Sequence, residues 1–451
     1  MALIDFKVLP GIDKQDTTSG AENRWVDCDN TRFRYGLPEK VGGWSSLVTD
    51  TIVGVARRQF AFVDLDGNRY IAIGTDKFLI IYFEGQLYDI TPLKTTLSSC
   101  TIATTNNSAI CSITKSNHGL SAGDIVLLDN VTLPVGTVYQ NSDFEDKLFQ
   151  VTSVTSTSIF TITQSSNATA TVSTGGSLEV KPYEHVGPAE QSYGYGWGID
   201  TWGNGAWGEA ASASDVSLEP GLWSLSNFGQ VLVATIANGK TFTWDAGIAA
   251  RLTTRASTTT SGFQTTNNPT ATRVTLISPT TRHLIHFGTE TTIGSPTTQD
   301  DMFIRFSEDE NINAYVPEAT NTAGTQRIQD GTKIVGALVA KENILVWTDN
   351  ALYTMKFVGA PFTFGFEQVG TNCGLIGKNA AIEIDGVAYW MGSNGFFSFD
   401  GTVNTLPCSV EDFVYDDVDT TKGQQICAGI NNLFTEVTWW YPTQGSDFNN
   451  R

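Results

Sequence analysis

The sequence offers few residues that could carry out chemistry. Histidine occurs four times, at positions 118, 185, 283 and 286. His283 and His286 stand three apart, so on a strand they point to opposite faces and cannot share a metal. His118, within Asn117-His-Gly-Leu120, reads as a turn residue in front of a strand. The six cysteines, at 28, 100, 111, 373, 408 and 427, lack the close pairs of a zinc knuckle or a redox motif. They are expected to be free thiols in a protein assembled in the cytosol. Asp64-Leu-Asp-Gly-Asn68 shares the opening of a calcium loop but not its closing bidentate Glu, and a hairpin turn explains its Asp-Gly pair. Asp300-Asp301 and Glu308-Asp-Glu310 are residue types that a glycosidase pairs across a scissile bond. Nothing in the sequence sets a second carboxylate opposite them, and they read as solvated loop charges. Glu411 to Asp419 has helical character and reads as an acidic face or an electrostatic partner site. Nucleophile-elbow, P-loop, zincin and dinucleotide fingerprints are missing from any usable context. The expectation is a protein without catalytic residues, metal or cofactor.

The elements that would position these groups are strands. The chain has 451 residues, 11% aromatic and 16% charged, with 43 glycines, which is too aromatic for a disordered chain. With 27 basic and 47 acidic residues the net charge is −20, against a binder that neutralises phosphates. The longest apolar run, Phe78 to Phe83, is far short of a membrane span, and Met1-Ala-Leu-Ile-Asp-Phe-Lys7 lacks the pattern of a signal peptide. Apolar runs of four to seven residues alternate with Asp-Gly and Asn-Gly pairs, the mark of consecutive hairpins. Phe60 to Ile90 reads as four short antiparallel strands with turns at Asp66-Gly67 and Glu84-Gly85, the layout of one propeller blade. Further units begin near Gln230, His283, Ile334, Ala380 and Gln425, and the later spacing is a propeller period. The expected fold is all-β, a β-propeller of six blades. The strand-forming Ala2 to Leu9 is placed to complete the last blade, whose hairpin otherwise lacks a strand.

Between Thr96 and Lys181 the texture changes to Ser, Thr, Asn and Val, and Trp disappears. The expected organisation is a first segment with the opening blade at 1–96, a small barrel-like β module at 97–180, and the remaining blades at 181–451. Beyond the module, Tyr193-Gly-Tyr-Gly-Trp-Gly198 and Thr201-Trp-Gly-Asn-Gly-Ala-Trp-Gly208 interleave aromatics with Gly, which suits a packed or docking loop.

The opening carries a resemblance. Leu9-Pro-Gly-Ile-Asp-Lys14, then Asn23 through Arg32-Phe-Arg-Tyr-Gly-Leu-Pro-Glu-Lys-Val-Gly-Gly-Trp44, resembles the tail nozzle or hub proteins of short-tailed bacteriophages, also called packaged-DNA stabilisation proteins. The Gly-Trp segment, Ile304-Arg-Phe-Ser-Glu308, Ala323 to Ala337 and Gly374-Leu-Ile-Gly377 are similar to the same group. The resemblance implies a virion protein of the phage tail, assembled in the host cytoplasm. It implies a hexameric ring below the portal adaptor, with a channel that DNA crosses without sequence-specific binding. Tail fibre or tailspike contacts and no membrane belong to the same picture. Arg32, Arg34, Trp44, Trp197, Trp202 and Trp207 are the expected contact residues, the two arginines against a neighbour's acidic loops. Two other readings stay open: an extracellular propeller that binds or cleaves glycans, with Arg, Asp and Glu gathered at its centre, and a cellular scaffold propeller that recruits proteins.

Overall fold

The computed structural model of the chain describes residues 8–136, 139–191, 219–260, 263–264, 267–341 and 343–451. The architecture is all-β, with one α-helix, Glu411–Asp417, among the described residues. Five sheets follow one another in a propeller-like arrangement. Four have four strands in simple up-and-down order: Ala56–Val63 to Gln86–Asp89, Thr272–Ile277 to Gly324–Arg327, Ile334–Ala340 to Thr363–Thr371, and Ala381–Ile384 to Val403–Thr405. The second blade has three, Trp223–Phe228, Val231–Ile236 and Thr241–Asp245. The first strand of each blade packs beside the first strand of the next, so these strands surround an axis.

The turns fall where the Gly pairs put them. Gly67, Gly85 and Gly395 take positive φ, which only a residue without Cβ adopts freely. Asp64 braces the first of these turns: its carboxylate accepts from the backbone N–H of Asp66 and Asn68 and from the Tyr70 hydroxyl. That is a turn function, and it accounts for the Asp-Gly motif.

Apolar cores lie between neighbouring blades. Tyr70, Leu79 and Ile81 of the first blade meet Trp223, Leu232 and Trp244 of the second. Ile304 of the third meets Ile344 and Val346 of the fourth. Leu345 and Trp347 of the fourth meet Trp390 and Phe397 of the fifth. Burial of each such side chain contributes roughly 1.5–3 kcal/mol. Indole N–H groups tie consecutive units: Trp223 donates to the Thr75 carbonyl at 2.9 Å, Trp390 to Cys373 at 2.9 Å and Trp439 to Ala380 at 2.9 Å.

The blade count differs from the expected six. The last unit is a two-stranded hairpin, Cys427–Asn431 with Glu436–Trp440, so five sheets form blades and a hairpin stands beyond the fifth. The third unit also starts one strand earlier than His283 suggests, at Thr272–Ile277, because polar Thr and Arg disguise that inner strand. Residues 2–7 of the expected closing strand lie outside the described residues. Its continuation, Leu9–Ile12, pairs in parallel with Arg24–Trp25 and not with the last hairpin.

Strands between Leu97 and Pro182 close into a six-stranded barrel around Phe144, Phe160, Ile113 and Val126. It leaves the first blade through a narrow neck, where Lys94 N–H donates to Pro182 and Glu184 N–H to Pro92. Arg255 and Tyr183 both bind Asp89 there, at 2.9 and 2.7 Å.

Candidate functional site: the N-terminal arm and the axial cavity

Two places gather features that packing alone does not explain. The first is the arm formed by residues 8–55. Its hairpin, Thr31–Arg34 with Leu37–Lys40, turns at Tyr35 and Gly36, both at positive φ. The run from Arg32 to Trp44 therefore encodes a hairpin, and the Gly is needed for its turn. The arm lies against the C-terminal units. Lys14 N–H donates to the Ser409 carbonyl, the Ser409 hydroxyl donates to Ile12, and the Lys14 ammonium sits 4.1 Å from the Phe413 ring centre.

Arg32 is engaged within the chain. Its Nε lies 3.3 Å from Glu436 and its guanidinium 3.5 Å over the Phe434 ring. Arg34 approaches Phe434 and Tyr35 at 5.3 and 5.2 Å, with no carboxylate partner among the described residues. Several apolar residues of the arm face outward, although Trp25 and Phe33 pack on each other and are half-buried. Tyr35 and Trp44 are each 91% exposed, and Leu9, Leu37, Leu47 and Val53 are exposed too. Trp197, Trp202 and Trp207 lie outside the described residues.

The second place is a cavity of about 460 Å³ on the axis. All five inner strands contribute to it: Arg58 and Phe60 from the first blade, Ser226 from the second, Val274 from the third, Leu338 from the fourth and Ala381 from the fifth. Lys378 and Asn379, on the connection into the fifth blade, complete the wall, and Asn379 Nδ2 reaches across to the Arg57 carbonyl at 3.1 Å. Burial lowers the Arg58 guanidinium from its ordinary pKa. Among the described residues it has neither a carboxylate nor a hydrogen-bond partner. The Lys378 ammonium donates only to the Arg273 carbonyl, at 3.2 Å. Burial, then the Arg58 charge, brings its pKa down to about 7, against the pull of Glu219. Glu219 itself is held by Arg273 and by Lys333, the latter at 3.2 Å. Burial pushes the Glu219 carboxyl up, but these two cations outweigh it and hold the group low. A cavity of this size takes a small molecule and not a duplex.

The remaining candidates find structural employment. His118 is buried, with Nε2 3.0 Å from the Ser156 carbonyl and Nδ1 accepting from Leu120 N–H. His283 bonds Thr281 and Thr322, whereas His286 bonds the Tyr315 hydroxyl, so the two share nothing. Burial, then Arg305, pushes His286 down to about 3, which keeps it neutral. Asp300 pairs with Arg327 and Asp301 with Arg273. On the barrel, Asp129, Glu145 and Asp146 bring carboxylate oxygens within 4.8 Å of one another and could meet a cation. Lys181 already pairs with Asp129, and Glu145 accepts from Asn130 and Val131 N–H. All six cysteines are free, and burial pushes Cys111 up to about 11.

No protein-family profile matches the sequence, and no curated protein matches it. Solved structures do. The phage phi92 endosialidase aligns over 90% of this chain and 66% of its own, at 13% identity and a TM-score of 0.24. The computationally designed protein Ika8 aligns over 88% and 99%, at 10% identity and 0.28. The extracellular domain of BT4673 from B. thetaiotaomicron aligns over 93% and 62%, at 9% identity and 0.30. The chain thus spans just under two thirds of the endosialidase and of the BT4673 domain. Likeness at this level leaves function to be argued from the residues.

Proposed function

We propose that the protein is a structural subunit of a phage tail, a nozzle or hub that assembles as a six-membered ring below the portal adaptor and gives DNA its exit channel. It acts without catalysis, in the virion, after assembly in the host cytoplasm. The carrying observation is the arm: a hairpin built by the motif that resembles this family, clasped to the last units by Arg32 and Lys14, yet presenting Tyr35, Leu37 and Trp44 to solvent. Exposed apolar residues gathered on one segment mark an interaction surface. The occupant proposed is the flank of a second copy of this chain. The last hairpin supports that choice. Its two strands are half a blade, and strand addition from a neighbour would extend it towards a sixth. The axial cavity of one propeller is too small for DNA, so the channel of this proposal is the space enclosed by the ring.

Electron microscopy and sedimentation of the full chain, alone and with the adaptor, test the proposal. Six-fold rings are expected, and a double variant Tyr35→Ser, Trp44→Ser is expected to stay monomeric at unchanged Tm. A wild-type chain that stays monomeric with its adaptor at micromolar concentration overturns the assembly reading.

A further inference from the structure

An acidic chain has placed three cations, Arg58, Arg282 and Lys378, around the chamber that all five blades share, and among the described residues only Arg282 has a carboxylate partner. Arg58 projects from the inner strand Ala56–Val63, and Lys378 lies at the entrance to the inner strand of the fifth blade. A charge drawn part-way out of water gains from a partner, because desolvation without one is unfavourable, and Arg58 and Lys378 are both half-buried. Three other cations near the axis have carboxylate partners: Arg273 and Lys333 hold Glu219, and Arg282 meets Glu310 and the Phe228 ring. Arg58 does not. It has no salt bridge and no hydrogen bond among the described residues, and it opens onto a cavity.

We infer that the axial cavity is a binding site for a small organic carboxylate, held by the Arg58 fork and the Lys378 ammonium. A planar guanidinium meets a carboxylate through two parallel N–H···O bonds, which fixes orientation as well as charge. The rest of the wall sets the kind of molecule. Phe60 and Leu338 offer apolar faces, and Ser226, Asn227 and Ser278 offer hydroxyl and amide groups. That mixture fits a ligand with both carbon faces and hydroxyls, the chemistry of an acidic sugar.

Calorimetric titration of the full chain at pH 7 with glucuronate, glucose and inorganic phosphate tests the inference. Glucuronate binds and glucose does not, if the carboxylate is what the site reads. Arg58→Met and Lys378→Met each weaken glucuronate by about ten-fold or more, the loss expected for a charged hydrogen bond. Arg69→Met, an exposed arginine of the same blade, binds as the wild type does. Because Arg58 holds no partner among the described residues, Arg58→Met keeps or raises Tm while binding is lost, which separates a ligand site from a structural one. Absence of glucuronate binding, equal binding of glucose, binding of phosphate alone, or full affinity in both variants overturns the inference.

Discussion

Lys378 titrates in a range that experiments can reach. Its pKa falls from an ordinary 10.5 to about 7, chiefly through burial and next through Arg58. The charged groups acting on it are Arg58 and Arg273, which disfavour its proton, and Glu219, which favours it; Lys333 and Asp301 act on these through their own pairs. Between pH 7 and 10.5 the unfolded chain binds the proton at this residue and the folded chain does not, so its contribution to stability rises with pH there. Below pH 7 both states are protonated and the penalty of the buried charge is complete. Thermal melts should therefore show Tm climbing from pH 7 to pH 9, and Lys378→Met should flatten that part of the profile; an unaltered slope in the variant would assign it to other groups. A bound carboxylate restores the proton, so titrations above pH 7 in buffers of different ionisation enthalpy should show proton uptake. None of this is visible in the sequence. Arg57-Arg58 looks like any charged pair on a strand, and only convergence of the five inner strands turns one of the two inward. The arm was more legible: its Tyr35-Gly36 turn sits in a continuous motif, although nothing in the order of residues pairs Arg32 with Glu436 of its own chain.

Three of the five blades, the first, third and fourth, begin with the same latch. After the second strand of the first blade, Asp76 accepts from Val55 N–H at 2.5 Å. In the third blade Glu290 accepts from Thr270 N–H at 3.0 Å, and in the fourth Asp349 accepts from Thr332 N–H at 2.8 Å. A Thr precedes each acid: Thr75, Thr289 and Thr348. Thr75 and Thr348 accept N–H bonds from the turn that follows them, to Phe78 at 2.7 Å and to Ala351 at 2.8 Å. The acid ties the entrance of the inner strand to the end of the second strand, and so fixes where the blade meets the axis. Asp76 is buried, so Asp76→Ala removes the acceptor of the half-buried Val55 N–H and should lower stability by about 1–3 kcal/mol, read by chemical denaturation. A loss below about 0.5 kcal/mol, the range of surface substitutions, would show that the latch is ornamental. This Thr-acid pair was the repeat signal available in the sequence. It was masked because the acids lie among many solvated ones, and because hairpin turns with Gly are the louder feature. Turn chemistry located most second and third strands correctly, whereas inner strands such as Thr272–Ile277 carry too many polar residues to stand out. The barrel announced itself through alternation in segments such as Ile110–Thr114 and Ile159–Thr163, whose Ile113, Phe160 and Ile162 point into its core.

At the scale of the whole molecule, charge and apolar surface pull in opposite directions. Each chain carries a net −20, so copies repel one another at long range. The arm offers Tyr35, Leu37, Trp44 and Leu47 as apolar contacts, and their burial is largely indifferent to simple salt. A ring of such subunits must therefore form against electrostatic repulsion. Repulsion between surface charges is screened over about 30 Å at 0.01 M ionic strength and about 8 Å at 0.15 M. Assembly through the arm should strengthen as sodium chloride rises from about 0.01 M to about 0.15 M. Assembly through ion pairs such as Arg34 with a neighbour's carboxylates should weaken over the same range. Sedimentation velocity across that series distinguishes the two, with the Tyr35→Ser, Trp44→Ser variant as the reference that lacks the apolar contact. Rings that fall apart as salt increases would make charge complementarity the organising force and leave the exposed aromatics of the arm to another partner, the adaptor being the first to try.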